Sequence, residues 1–346
     1  AGFSNAARFA SILPNFIKGI NGVVSCAAAV GNLEILSAKN PFYFIGIVGR
    51  EDYNFTDMLE TRKVLDKLKF PNQLLLFDSG NQWPENGYLV EAFRMLTLAS
   101  MAKGETEKEI KKVNTFYNEL LTKANTLFSE KKPLMAEHLL SEMIRVHAPW
   151  MELDSLKDIR KQLRKTSSFK AAKRSQNAVL LKESFTKEDY IYFLEEDIMT
   201  YNYNNLGWWT YQMEELSKLV KSENVYEKQM ARRLRGYANA LIEDTIDVIA
   251  SDDKVVDMDA LTLLYMLKTI TAPKNYEYYL NIISNSSKIE DYGTALFYLE
   301  ELLKNGYTDK DELYAVQNTA LFRIMPEFNA LVEKYLNQAR YDVMEE

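Results

Sequence analysis

The stretch Leu74–Glu85, LLLFDSGNQWPE, places a polar turn directly behind an apolar run. Leu-Leu-Leu-Phe reads as a buried strand, and Asp78-Ser79-Gly80-Asn81-Gln82-Trp83-Pro84 as the turn at its C-terminal end. In open α/β sheets that end is where ligand-binding and catalytic groups gather. Asn81 brings an amide to the turn, a group that donates and accepts hydrogen bonds but has no basic nitrogen to take a proton. The two histidines, His138 and His147, lie nine residues apart in a helical region, so on one helix they point to opposite sides. Both read as ordinary helix histidines. Asp252, Asp253, Asp257 and Asp259 are clustered but lack the spacing and terminal Glu of a calcium loop. The sequence has no Gly-rich phosphate loop and no Cys/His cluster, so it implies neither a metal nor a cofactor.

Two further groups carry chemical potential. Lys157–Arg174 (KDIRKQLRKTSSFKAAKR) holds eight basic residues against one Asp, and reads as a solvated helix and linker. Tyr201, Tyr203, Trp208, Trp209 and Tyr211 form an aromatic set able to stack a sugar or grip a peptide; the reading favoured here is packing between helices. Cys26 is the single cysteine, which excludes an internal disulfide framework, and it sits in an apolar run as a small buried hydrophobe.

The elements that must position these residues fall into two regimes. Residues 1 to about 100 alternate apolar strands with helical segments, as a parallel sheet requires. The strand candidates are Gly22–Ala29, Phe42–Val48 and Gln73–Phe77, apolar enough for burial on both faces. Between the last two, Thr56–Leu68 has helical periodicity, with Thr56 as N-cap and Met58, Leu59, Val64, Leu65 and Leu68 as the apolar stripe. From Lys103-Gly104 onward the strand signals stop. Amphipathic helices are expected over Glu105–Phe128, Pro133–Val146, Glu188–Met199, Gly207–Val220 and Glu227–Ile249. Others follow at Asp259–Ile270, Glu277–Ile283, Tyr292–Lys304 and Glu327–Gln338. The expected fold class is therefore α/β plus all-α, with domains at 1–102 and 103–346.

Bulk properties narrow the function. With 346 residues and 47% hydrophobic content, the chain can build at least two cores. A net charge of −7 gives nothing to attract nucleic acid or an anionic membrane. The longest apolar runs, such as Phe42–Val48, are too short to span a bilayer.

Gly2-Phe3-Ser4-Asn5-Ala6-Ala7-Arg8, followed by a helical run, resembles the nucleophile elbow of α/β-hydrolases in its esterase form. Asn5 and Ala6 stand where that motif has two glycines. A strand ending in Gly49-Arg50-Glu51-Asp52 follows where the family places its acid. The turn at Asn81 follows where it places its histidine, in the chain order Ser, Asp, His. The resemblance implies Ser4, Asp52 and Asn81 as the positions of a degenerate triad, with the Asn5 N–H at the oxyanion hole. With an amide in place of the base, the site is expected not to catalyse; loss of one triad member costs roughly four to six orders of magnitude in turnover. The resemblance spans the C-terminal half of such a domain, so the earlier strands, including the one feeding the elbow, are expected before Ala1. Trp83-Pro84 reads as packing.

Glu277–Gly306 is similar to most of one tetratricopeptide unit, whose usual length is about 34 residues. Asn205–Tyr211 resembles the opening of another, and Gly306–Leu336 the closing unit that follows such repeats, which implies a tetratricopeptide-like α-solenoid for the helical part. Together these resemblances imply a catalytically inactive hydrolase-like protein whose helical domain binds protein partners. The alternative is an active serine esterase or peptidase, with Ser4 as nucleophile and a histidine supplied from elsewhere. The pairing is similar to cell-envelope proteins of Bacteroidetes-type bacteria, which implies the periplasm or an outer-membrane lipoprotein anchored through a lipid upstream of this chain.

Overall fold

The structure is a computed structural model that describes residues 1–37, 39, 41–251, 256–337 and 339–341. Four apolar runs build one sheet: β1 (Gly2–Phe3), β2 (Gly22–Cys26), β3 (Tyr43–Gly49) and β4 (Asn72–Phe77), all parallel and in that spatial order. Ser25 pairs with Gly2, Val24 with Ile45, and Gly46 with Leu74. Parallel strands need crossovers, and here α1 (Asn5–Ile12), a loop and α2 (Phe55–Lys67) make them before α3 (Asn86–Lys103) leaves the sheet.

Both faces of the sheet are covered, as its near-continuous apolar strands require. Side chains alternate in strict period of two. Val23, Phe44, Val48 and Leu74 face Phe55, Met58 and Leu65 of α2. Val24, Cys26, Ile45, Ile47, Leu75 and Phe77 face the other way, into a core with Met95 and Leu98 of α3. Each fully buried aliphatic side chain is worth roughly 1.5–3 kcal/mol, so this double burial fixes the register of the strands and thereby the loops at their ends.

The remainder is helical: α4 (Ile110–Ser129), α5 (Pro133–His147), α6 (Asp154–Lys165), α7 (Ser167–Thr200), α8 (Leu206–Leu219) and α9 (Val225–Ala250). After these come α10 (Met258–Thr271), α11 (Glu277–Lys288), α12 (Tyr292–Lys304), α13 (Lys310–Ala315) and α14 (Pro326–Leu336). The chain is thus mostly helical with a small parallel sheet, an α/β part followed by an all-α part. Two compact units emerge: Ala1–Ser184 with Val220–Gly236, and Phe185–Leu219 with Tyr237–Glu346. The expected boundary at 102/103 falls in the last turn of α3, and Met101 of α3 shares one core with Val113 and Phe116 of α4 and with Ile45. In the second unit, Ile282 and Ile283 of α11 pack with Leu299 and Leu302 of α12 and Phe328 of α14.

Three local expectations are corrected. The strand that feeds the Ser4 turn is present after Ala1: Gly2 and Phe3 pair with Ser25 and Cys26 as β1. The N-cap of α2 is Asn54, not Thr56, because Phe55 turns into the core and starts the helix one residue before the Thr. A separate helix at 188–199 is absent: α7 runs unbroken for 34 residues, since no Gly or Pro interrupts 167–200.

Candidate functional site

The C-terminal end of β1 turns abruptly into α1 at Ser4. Ser4 has φ 52° and ψ −127°, a conformation L side chains rarely occupy. Its N–H donates to the Cys26 carbonyl at 3.0 Å, and its own carbonyl accepts from Ala7 and Arg8, so backbone bonds on both sides hold the residue there. The return of α1 is tight: a Cβ on Gly2 would lie 2.6 Å from the Ala6 carbonyl group. Only glycine fits there. Although Ser4 occupies the cap position, its side chain makes no capping hydrogen bond. Asn5 opens α1, so its N–H belongs to the first-turn donors that lack an intrahelical acceptor.

Behind β3, the turn Gly49–Asn54 presents Asp52, which is fully buried. Its Oδ1 accepts the Asn54 backbone N–H at 2.8 Å. The Asn54 amide in turn donates to the Ala27 carbonyl at 2.9 Å, tying this turn to the end of β2. Behind β4, Asn81 donates from Nδ2 to both carboxylate oxygens of Asp52, at 3.2 and 3.1 Å. Burial pushes the Asp52 carboxyl above the ordinary carboxylate range, and the Asn54 and Asn81 donors only partly oppose it.

The three turns are mechanically linked. A Cβ at Gly49 would run into the Ser79 carbonyl, and Glu51 N–H donates to that same carbonyl at 2.9 Å. Arg50 Nε donates to Asp78 at 2.6 Å. Trp83 stacks on Phe3 with centroids 5.2 Å apart, joining the Asn81 turn to the residue before Ser4. The geometry therefore brings Ser4, Asp52 and Asn81 to one end of the sheet and puts Asp52 and Asn81 in direct contact. Among the described residues, no basic side chain hydrogen-bonds the Ser4 hydroxyl.

Neither histidine is available as a base. His138 Nε2 lies 2.6 Å from the Leu74 carbonyl, while Glu142, one turn further along α5, accepts the Leu74 N–H at 3.1 Å. The pair thus occupies both backbone groups of one β4 residue and blunts that strand's outer edge. Glu142 also forms an ion pair with Arg62. His147 is buried against Phe116 and Tyr117, with Nδ1 at 3.0 Å from the Met143 carbonyl. Burial holds both imidazoles below their ordinary pKa of 6.5, so each is neutral at pH 7.

Sequence reasoning missed the support behind Asp52. Arg233 donates to the Arg50 carbonyl at 2.6 Å and to Glu183 at 2.9 Å, with its guanidinium 5.0 Å from the Phe55 ring. Arg233 and Glu183 are both buried, and Arg232 pairs with Glu51. No local pattern announces a partner 183 residues away. The His138/Glu142 pair did carry a signal, an i, i+4 spacing opposite an edge strand.

The other candidate groups separate by role. In the basic run, Lys157 pairs with Asp154 and Arg164 with Glu137, while Arg160 donates to Ser141. Trp209 is buried and donates to Asp197 at 2.8 Å, and Trp208 packs edge-on to it. Tyr201 and Tyr203 instead line an open cleft, with the Tyr201 hydroxyl donating to Asp257 at 2.8 Å. Asp257 caps α10 through the Ala260 N–H. Asp252 and Asp253 lie outside the described residues. Among the described residues, no group of three or more His, Cys, Asp or Glu side chains is placed to hold a metal ion. Nor is any described helix long and apolar enough to cross a membrane.

No protein-family model, curated protein or solved structure matches the chain.

Proposed function

We propose that the chain is a hydrolase-like protein whose site no longer turns over, carried beside helices that bind a protein partner. The observation that carries the reading is the Asn81–Asp52 contact: the amide donates to the buried carboxylate from the place a catalytic imidazole would occupy. In a hydrolase triad the imidazole leans on the acid and takes the serine proton; the Asn81 amide donates to the acid and has no basic nitrogen to take a proton. Three features support the hydrolase-like part. Ser4 stands in an elbow conformation directly after a strand, the acid and amide turns follow the third and fourth strands, and the strand order runs with the chain. For the partner-binding part, α11 and α12 form a packed helix pair joined by a short turn, over the segment similar to a tetratricopeptide unit. A cell-envelope location accompanies this reading by resemblance.

One observation favours a working serine hydrolase: Ser4 keeps a costly backbone conformation and its hydroxyl caps nothing. Labelling with a serine-directed fluorophosphonate separates the two readings. The inactive reading expects no Ser4-dependent label at neutral pH; label that disappears in Ser4→Ala would overturn it.

A further inference from the structure

The second unit contains a cleft of about 890 Å³ that the hydrolase-like site does not use. It sits where the start of α10, the α11–α12 turn and the segment before α8 converge. Met266 and Tyr298 form buried parts of its wall. Ile289, Phe297 and Met258 line it too, yet remain 70%, 59% and 42% exposed. Side chains this large are expensive to leave in water side by side, and an exposed cluster of them marks an interaction site. Tyr201 and Tyr203 add two part-exposed rings, so the lining is aromatic as well as aliphatic.

Charge selects among occupants. Asp259 and Asp291 line the cleft, Asp257 holds Tyr201 at its edge, and exposed Glu290 lies between the lining residues Ile289 and Asp291. Hydrogen bonds from the Ala260 N–H and the Tyr201 hydroxyl keep Asp257 ionised. Lys288 is the one cation among the lining residues. Rings with carboxylates around them attract a cation twice over, through the quadrupole and through the charge. The apolar wall at the same time rewards a large hydrocarbon side chain.

We propose that this cleft docks an extended segment of a partner protein carrying Lys or Arg next to Leu, Ile, Phe or Trp. The proposal rests on the partner-binding reading above and gives it a place and a chemistry. Phe297 and Ile289 are the apolar anchors. Asp259 meets the cation, because Asp257 and Asp291 are already committed to capping α10 and α12.

The test selects a random-peptide library displayed on phage against the full chain, then measures the selected peptides by fluorescence polarisation. Basic–apolar sequences are expected. Phe297→Ser is expected to weaken them about tenfold or more, and Asp259→Asn severalfold, with circular dichroism unchanged. Raised salt weakens the wild-type complex and has less effect on Asp259→Asn. Selection of acidic or wholly polar peptides overturns the proposal, as does a failure to select any. A wild-type dimer that Phe297→Ser dissociates in sedimentation overturns it by giving the cleft to a second copy of the chain. Peptides that bind Phe297→Ser and Asp259→Asn undiminished overturn the cleft but leave partner binding standing. Ser4-dependent fluorophosphonate labelling would instead overturn the inactive-hydrolase reading and leave the cleft result untouched.

Discussion

Ser4 and Asp52 each occupy a position that stability alone does not favour. Ser4 sits at positive φ without the capping bond that would reward it. Ser4→Gly should therefore raise the unfolding free energy by about 1 kcal/mol, whereas Ser4→Ala should leave it unchanged or lower; chemical denaturation distinguishes them. Asp52 is buried, and its carboxyl is pushed above the carboxylate range. A carboxyl raised in the folded state favours folding below its unfolded pKa of 3.8, and that advantage is lost as pH rises through the higher folded value. Asp52→Asn, which removes the charge, should accordingly gain on the wild type at pH 7 and lose that gain as pH falls through the carboxylate range. Melting curves at several pH values read this directly; a gain that grows on acidification would reverse the assigned sign. Asn81→His would bring an imidazole against Asp52 while leaving Ser4 in place. With Ser4 already in the elbow conformation, Ser4-dependent ester hydrolysis should appear in that variant. No gain would mean that Asn5 and Ala6 had disabled the turn as well.

At the level of elements, long-range side chains hold the site's loops. Arg233 reaches the Arg50 carbonyl and Glu183, so Arg233→Met should strand a buried carboxylate and cost about 3–5 kcal/mol. The double variant Arg233→Met, Glu183→Leu should recover most of that loss. Equal destabilisation of single and double variants would show that packing, not charge, holds the turn. None of this was visible in the sequence, because an ion pair between distant segments leaves no periodic trace. What was visible were the strands: β2, β3 and β4 begin within a residue of the apolar runs that announced them, since double-faced burial admits no polar interruption. The 34-residue α7 was legible only in its second half. Its first half is polar with scattered apolar residues, and only the lack of a breaker betrays it. The aromatic set divided: Trp208 and Trp209 pack as read, Tyr211 is left exposed, and Tyr201 and Tyr203 line a cleft that only the folded chain assembles.

Across the whole molecule, two neutral, packed histidines give acid a route to unfold the chain. Both imidazoles are held below 6.5 by burial, so the unfolded chain takes up protons first as pH falls below that value. Stability should then decline by up to about 1.4 kcal/mol per pH unit for each imidazole until its folded pKa is passed. His138→Gln keeps a donor for the Leu74 carbonyl and should flatten the slope between pH 7 and 5; an unchanged slope would acquit this residue. The chain order of Ser4, Asp52 and Asn81 is legible in linear sequence, because each turn directly follows a strand, whereas the Asp52–Asn81 contact needed the fold. On the proposed function, this site is built like a hydrolase's and lacks its base. Steady-state hydrolysis of a short-chain nitrophenyl ester, by wild type and Ser4→Ala at equal concentration, tests it most directly. Indistinguishable rates are expected, and turnover by the wild type that Ser4→Ala abolishes would overturn the proposed function.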